Sequence, residues 1–485
     1  MKLSFLVKPW CIDIKGDCEV TGLCNDSRQL KKGDVFLAYK GAISDGRQYI
    51  DAAMQKGAAA IIYEPQGFKP NIKIPMVAME SIFARLGLIA ARFYANPSKK
   101  LNIIGVTGTT GKTTVAYLLA QAFNLLGEKA IYLGTLGYGE PFSLTSLVNT
   151  TPDGLYLQKI FADCVVKGVK NVCMEVSSHA LYEDRVSGVN ISTAIFTNLS
   201  HEHLDFHKTM QAYKEAKAKL FAEPKLQNVI LNADDEVSKF MADRVNSPQA
   251  KIITFGIKNS ATVSASEISC KPHSVSFVLN ATGKVRCNAP LVGLFNVANL
   301  LAVASTLFAN KISLSSVQSV LTKLKSAPGR FELVAENPTV IVDYAHKPVA
   351  LENVLKTLKD LYKERIILVF GCGGDRDKLK RPQMGKIASQ YADLIILTND
   401  NPRTENAEEI IKQIKAGIKN SATVIEILNR KAAIQKALAL ANKNDVILIA
   451  GKGHETYQEI GHARINFSDQ AEVGWALAQQ KNLTE

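Results

Sequence analysis

No apolar run in the sequence approaches the ~20 residues that a membrane-spanning helix needs, so bilayer insertion is not expected. The N-terminus offers only Leu3–Val7 before Lys8. That is short of the ~7–15-residue apolar region of a secretory signal, and a cytoplasmic protein is expected. Cysteines are few and scattered, at 11, 18, 24, 164, 173, 270, 287 and 372, with no CxxC pair. This argues against a disulfide framework and predicts reduced thiols. The spacing of Cys11, Cys18 and Cys24 does not suit a zinc knuckle. Aromatic residues make up only 7%, and no run of basic residues exceeds three. Both observations weigh against a nucleic-acid reading of the +13 net charge. A site for a polyanionic small molecule on a moderately basic surface fits that charge better. Repeats and low-complexity tracts are missing too, and 47% hydrophobic with 21% charged residues excludes a disordered or fibrous chain.

What is present suits about three domains in 485 residues. Residues 1–98 alternate strand-like and helical pieces: strands over 34–39 (DVFLAY) and 58–63 (AAAIIY), and a helix over 81–95 stopped by Asn96-Pro97-Ser98. Residues 99–328 open with 101–107 (LNIIGVT), a nearly continuous apolar run that suits a strand buried on both faces of a parallel sheet. After a Gly/Thr loop, Val115, Leu118, Leu119, Ala122, Phe123 and Leu126 fall at helical spacing, with Gly127 placed to close the helix. Further strands are predicted at 169–176, 192–198 and 228–232. In residues 329–485, strands at 339–344, 365–370, 393–398 and 445–450 alternate with helices at 348–363, 405–418 and 429–442. The predicted class is α/β with three domains: a central P-loop domain with a mostly parallel sheet and a C-terminal Rossmann-like doubly wound domain.

The strongest chemical signal is Gly108-Thr109-Thr110-Gly111-Lys112-Thr113-Thr114, between a predicted strand and a predicted helix. Glycines let backbone amides close on phosphate oxygens, and the helix N-terminus adds its dipole. Lys112 would reach the terminal phosphates of ATP, and Thr113 would ligate Mg²⁺. Val106 stands where the strict motif has its first glycine. Glu175 ends the strand at 169–176, where it reads as either a Mg²⁺ ligand or a solvated strand-end carboxylate. His201, His203 and His207 crowd with Glu202 and Asp205 after the next strand. His203 could be a metal ligand in a phosphate site, with zinc as the rival reading. Lys217 lies on a helix beginning near Met210, among several lysines, and spacing alone reads it as a solvated face. Asn296 and Asn299, three apart at the start of a helix, would read an adenine edge or cap the helix. Four C-terminal strand ends carry polar clusters, including His346, Arg376, Asp400, Arg403, Lys452, His454 and Glu455. Two arginines and a glutamate there fit an amino-acid ligand.

With NDSR (25–28), GTTGKTT (108–114), NTTP (149–152), MEVSSHAL (174–181), HLDFH (203–207), GLFNVAN (293–299), APGRFE (327–332), DYAHKP (343–348), GCGGDRDK (371–378), DNPR (400–403) and AGKGHE (450–455) in this order, the whole chain resembles the Mur ligases. These are ATP-dependent amide-bond ligases of peptidoglycan precursor synthesis. The resemblance is to those that add meso-diaminopimelate to UDP-N-acetylmuramoyl-L-alanyl-D-glutamate, working as monomers on small molecules, with no nucleic acid or membrane partner. It implies that Ser27 contacts the uridine nucleotide and that Asn149, Thr150, Thr151, Ser177, Glu183 and Arg185 hold the muramoyl-dipeptide. It implies Mg²⁺ at Thr113, Glu175 and His203, and carbamylation of Lys217 to N6-carboxylysine, an anionic metal ligand. Gly108 to Thr114, Asn296, Asn299, Arg330 and Asp343 would bind ATP. Arg376, Asp400, Asn401, Pro402, Arg403, Gly451 and Glu455 would bind diaminopimelate. Lysine lacks that substrate's second carboxylate, and Arg403 could pair with it. Glu183 stands where such relatives often have glutamine, Lys347 where threonine is common and Arg47 where many have histidine; none of these removes a catalytic group.

Overall fold

Asn102–Thr107 is the strand around which the first half of the chain is built, and all of it beyond Asn102 is buried. In the computed structural model, which describes residues 1–11, 14–41, 44–69, 71–419 and 423–482, Thr193–Phe196 lies on one side of it and Asn171–Glu175 on the other, both parallel. Asn228–Asn232 and Lys251–Gly256 extend the sheet one way. Ala130–Gly134 and the antiparallel pieces Gly137–Glu140 and Ser143–Thr145 extend it the other. The register sets Val106 opposite Glu175 and Thr107 opposite Phe196, so three strands deliver their carboxyl ends to one edge. The helix Lys112–Leu125 follows the Gly/Thr loop with both faces buried except near its ends. Gly127, at φ +78°, ends it as the spacing predicts. The Gly127 and Glu128 amides donate back to the Asn124 and Phe123 carbonyls, closing the last turn through a left-handed residue.

Before this sheet stands a four-stranded parallel one, Gly22–Cys24, Asp34–Ala38, Ala60–Tyr63 and Met76–Ala78, paired in chain order. Its helix, Ile82–Phe93, meets helix Gly154–Val166 backbone to backbone. A Cβ on Gly154 would come 2.5 Å from the Gly87 Cα, and one on Gly87 would come 2.0 Å from the Ser187 carbonyl oxygen. The chain divides into two compact units, Met1–Phe255 and Gly256–Glu485, and the strands named so far fall in the first, up to Phe255.

The second unit begins with an antiparallel meander, Val263–Lys271, Ser274–Asn280 and Lys284–Ala289, which the sequence reading did not anticipate. Helices Leu294–Ala309 and Leu314–Leu321 follow. Then comes a six-stranded sheet in the order Glu332–Glu336, Thr339–Asp343, Val446–Ala450, Ile366–Phe370, Leu394–Leu397, Thr423–Glu426. Only the first pair is antiparallel; the rest are parallel, as expected of a doubly wound unit. The last strand inserted, Val446–Ala450, lies between Thr339–Asp343 and Ile366–Phe370. Such a switch in strand order opens a crevice at the carboxyl ends. A hairpin, Tyr457–Ile460 with Ala463–Asn466, follows. Among the described residues, no helix is long and apolar enough to cross a membrane.

Candidate active site

The loop after Asn102–Thr107 is shaped by its glycines and pinned by the next strand end. Gly108 takes φ +151°, where a Cβ would come 1.9 Å from Thr197 Oγ1, and Gly111, at φ +82°, starts the helix. The Thr109 amide donates to the Asn198 carbonyl (2.9 Å), and the Thr110 amide to Asn198 Oδ1 (2.9 Å). Thr197 Oγ1 donates to the Thr110 carbonyl (2.6 Å). Thr197 and Asn198 were not among the residues singled out from the sequence, although their place at a strand end was legible there. Lys112 Nζ donates to the Gly108 and Thr109 carbonyls, each at 2.8 Å, while Thr113 and Thr114 lie in the helix's first turn.

Lys217 reaches the same loop. It lies on Met210–Ala218, but it is buried, 1% exposed, and not on a solvated face. Its Nζ donates to the Gly108 carbonyl at 2.7 Å and sits 4.4 Å over the Tyr213 ring. Two lysine side-chain nitrogens thus share one carbonyl oxygen. Burial, and then the nearby Lys112 charge, hold the Lys217 amine well below the ordinary lysine range. Spacing missed this because neighbouring lysines on the helix point elsewhere; Lys214 stacks on Phe240.

Glu175 is buried as well. Its Oε1 accepts from the Tyr132 hydroxyl (2.5 Å) and the Thr135 amide (2.8 Å), and its Oε2 from Thr135 Oγ1 at 3.3 Å. The solvated-carboxylate reading therefore fails, and Oε2 keeps lone-pair capacity for a cation. Around it gather Thr150, whose hydroxyl lies 3.1 Å from Thr135 Oγ1, and Thr151, whose hydroxyl donates to the Glu175 carbonyl at 2.8 Å. Ser177 caps the short helix Ser178–Tyr182. Arg185 donates to the Thr151 carbonyl (3.0 Å) and, through Nε, to Glu183 (2.7 Å), so the unusual glutamate serves as this arginine's counter-ion. Asn149 adjoins this group in the chain, whereas Ser27 stands on the N-terminal sheet, in the turn after Gly22–Cys24. There its carbonyl accepts from Lys56. His203, at φ +57°, lies 3.5 Å from the Glu202 carboxylate and edge-on to His179. His207 contacts the Ser178 hydroxyl at 3.0 Å. Among the described residues, no three His, Cys, Asp or Glu side chains form a metal cluster. Thr113 and Glu175 offer the hard oxygen donors that Mg²⁺ takes beside phosphates.

In the second unit, Asn296 and Asn299 are buried near the start of Leu294–Ala309. Asn296 Nδ2 donates to the Val292 carbonyl and Asn299 Nδ2 to Asn296 Oδ1. Neither caps the helix, whose first position follows Gly293 with no side-chain cap. Asp343 accepts from the Phe331 and Ala345 amides (2.7 and 2.8 Å). The Arg330 guanidinium lies 4.6 Å over Tyr344.

At the carboxyl ends of the C-terminal sheet, Asn401 donates to Glu455 (2.9 Å). Lys452, fully buried, bridges Asn401 Oδ1 (3.0 Å) and Glu455 Oε2 (2.8 Å). Asp400 is buried beside them, and burial raises its carboxyl. It fills the space where a Cβ on Gly451, at φ +114°, would come 2.5 Å from its Oδ2. Arg403, next to Pro402, donates to Glu459 (2.9 Å) and to the Gly374 carbonyl (2.8 Å). Arg376 bonds the Asp375 carbonyl. Lys452 was visible in the motif GKGHE but its burial was not. Glu459 went unnoticed, having no motif around it.

Family models match three stretches: Mur ligase family, catalytic domain (19–94), Mur ligase middle domain (106–307) and Mur ligase, glutamate ligase domain (329–453). A UDP-N-acetylmuramoyl-L-alanyl-D-glutamate–2,6-diaminopimelate ligase of Coxiella burnetii is 43% identical over 474 residues, 96% of this chain and 97% of that one. The chain belongs to the Mur ligase family. The like-named ligase of Chromobacterium violaceum is also 43% identical, over 92% of this chain and 91% of its own. A solved structure of a 2,6-diaminopimelate ligase of this name superposes with a TM-score of 0.71 at 35% identity, covering 95% of each chain. This Mur ligase is accordingly an ATP-dependent, ADP-forming amide-bond ligase, and the P-loop and its converging lysines are its candidate nucleotide site.

Proposed function

We propose that this Mur ligase joins meso-2,6-diaminopimelate to the D-glutamate of UDP-N-acetylmuramoyl-L-alanyl-D-glutamate, a cytoplasmic step of peptidoglycan precursor synthesis. The observation that supports this most directly is the crevice at the C-terminal sheet. A guanidinium (Arg403) and a carboxylate whose second oxygen is tied to Asn401 and Lys452 (Glu455) are fixed within one hydrogen-bonded network. That is the complement of an amino acid carrying ammonium and more than one carboxylate.

In this reading the protein acts as a monomer with three duties. Residues 1–98, with Ser27, hold the uridine nucleotide; 99–328 hold ATP and the dipeptide; 329–485 hold diaminopimelate. The loop 108–114 wraps the phosphates with its amides, and Asn296, Asn299, Arg330 and Asp343 are the nucleotide-contact candidates of the second unit. Thr151, Ser177 and Arg185, with Asn149, Thr150 and Glu183, orient the dipeptide so that the D-glutamate side-chain carboxylate attacks the γ-phosphorus in line. The P–O bond to ADP breaks and an acyl phosphate forms. Lys112 neutralises charge on the phosphoryl oxygens. Mg²⁺, held by Thr113, Glu175 and His203, would supply further neutralisation there. Arg376, Asp400, Asn401, Pro402, Arg403, Gly451 and Glu455 then present the diaminopimelate amine, which displaces phosphate from the acyl carbon and leaves an amide. Burial and the Lys112 charge shift Lys217 toward its neutral form, which in this reading adds to CO₂ and releases a proton. The resulting carbamate is anionic beside Lys112 and would offer an oxygen to the metal.

Phosphate release by purified protein with ATP, Mg²⁺ and the UDP-dipeptide tests the reading, with meso-diaminopimelate, L-lysine or nothing added and the product weighed. Release and a tripeptide mass only with diaminopimelate are expected. Release with lysine alone would retire the specificity assignment, and release with neither would retire the substrate assignment.

A further inference from the structure

We infer that Glu459 is a positioning residue for the incoming amino acid: it clamps the Arg403 guanidinium so that only the outer end of its fork meets a substrate carboxylate. The inference rests on the reading that Arg403 faces the second carboxylate of diaminopimelate.

The hairpin that carries Glu459 is stitched to the Arg403 segment by its backbone. Arg403 N donates to the Glu459 carbonyl at 3.0 Å, and Gly461 N to the Arg403 carbonyl at 2.8 Å. Arg403 itself sits at φ +52°, a left-handed conformation that a long side chain adopts only when its surroundings impose it. The side chain is then held twice, by Nε to Glu459 Oε2 (2.9 Å) and by Nη1 to the Gly374 carbonyl (2.8 Å). A guanidinium can grip a carboxylate with two parallel bonds either side-on, through Nε and one Nη, or end-on, through both Nη atoms. With Nε spent on Glu459, the side-on grip through Nε is closed, and the end-on grip is left to Nη2 and the second hydrogen of Nη1, whose first goes to the Gly374 carbonyl.

Glu459 is also a poor decoy acid for the free ammonium of lysine, because two arginines already neutralise it. Its Oε1 is taken by Arg464 Nη2 at 2.8 Å, and its Oε2 by Arg403. The trio Arg403, Arg464 and Glu459 carries one net positive charge, so a second carboxylate meets attraction with a single orientation. The backbone of Glu459 reaches into the crevice as well, its amide donating to Asn401 Oδ1 at 3.0 Å. The same Asn401 oxygen receives Lys452 Nζ, so Glu459 and the group that fixes Glu455 share one acceptor.

The test is steady-state ligation with saturating ATP and UDP-dipeptide, varying diaminopimelate, for wild type, Glu459→Ala, Glu459→Gln, Arg403→Ala and Arg403→Ala/Glu459→Ala. Glu459→Ala is expected to raise KM for diaminopimelate about tenfold, with kcat within twofold and KM for ATP unchanged. Glu459→Gln, which keeps an acceptor for Nε, is expected to recover most of that loss. Added to Arg403→Ala, the Glu459→Ala change is expected to shift KM no further, since a residue acting through Arg403 has nothing left to position. A KM within twofold of wild type for Glu459→Ala would overturn the inference. So would a further full loss in the double variant, or a fall in kcat matched by both Glu459 variants. If wild type turns over but the variants behave in any of these ways, only the role of Glu459 falls. If wild type does not use diaminopimelate at all, the substrate reading falls and takes the clamp with it.

Discussion

Replacing Lys217 by methionine removes a charge while keeping most of the volume, so it isolates the electrostatics of the loop. In the folded chain the Lys217 and Lys112 nitrogens lie 2.7 and 2.8 Å from one carbonyl oxygen, hence at most about 5.5 Å apart. At an effective dielectric of ~20, two unit charges at that distance repel by about 3 kcal/mol. The hydrogen bond from Lys217 returns about 1.5–3 kcal/mol, so these two contributions nearly cancel. The desolvation of an amine that is 1% exposed then tips the balance against the charged lysine. Lys112 still satisfies the Gly108 carbonyl after the substitution. Lys217→Met is therefore expected to raise the melting temperature by a few degrees at pH 7 in CO₂-free buffer, even as ligation is lost.

The pH dependence carries the stricter check. The folded-state pKa of Lys217 lies below its unfolded value, so the unfolded chain binds the extra proton. The resulting penalty is full below the folded pKa, shrinks as pH rises between the two values, and vanishes above the unfolded pKa of about 10.4. The advantage of Lys217→Met should shrink as pH climbs toward 10. Scanning calorimetry of both proteins from pH 7 to 10 measures it. A variant no more stable than wild type at pH 7, or an advantage that does not change with pH, would refute the argument that this ammonium is held against its preference.

Lys112→Ala is expected to abolish phosphate release with full substrates, and unchanged turnover would remove the P-loop from the mechanism. Arg403→Ala should lower kcat/KM for diaminopimelate at least tenfold, about 1.4 kcal/mol; a smaller loss would mean that Arg403 is not a main anchor. Arg430 and Asp469, both fully buried and joined at 2.7 and 2.8 Å, make a sharp double-mutant cycle. Asp469→Leu or Arg430→Met alone is expected to destabilise the surrounding strands by about 3–5 kcal/mol, and Arg430→Met/Asp469→Leu to recover most of it. Hydrogen exchange at Val446–Ala450 reports this, since Arg430 also donates to the Ala450 carbonyl; additive losses would count against the pair.

Periodicity was sufficient for the parallel strands, because a strand buried on both faces writes an unbroken apolar run, as in Ile366–Phe370 and Val446–Ala450. It was not sufficient where polar residues are buried. The helix Lys380–Tyr391 carries a proline, a glycine and few apolar residues, yet it packs through Arg381, which is 0% exposed and paired with Glu405. A buried arginine in a polar run looks like surface. The meander 263–289 failed to register for a related reason, since it exposes alternate residues on one face and lacks the long apolar runs that marked the central strands. In the site, glycines and strand-end acids were legible from order alone. The burial of Lys217 and Lys452, and the pairing of Glu459 with Arg403, depend on tertiary contacts between distant segments, and spacing does not encode them.

The backbone contact between Gly87 and Gly154 has a consequence for substrate choice. Two helices that touch without side chains between them have no rotamers to rearrange and no soft layer to compress. The N-terminal sheet, with Ser27, and the P-loop sheet, with Thr151 and Arg185, are therefore held at one spacing. In the proposed reading a single molecule has its uridine end on the first and its peptide end on the second. The glycine pair then acts as a ruler: a donor with a shorter or longer linker between nucleotide and dipeptide would satisfy one end only, and would be rejected by length before any of its functional groups is read.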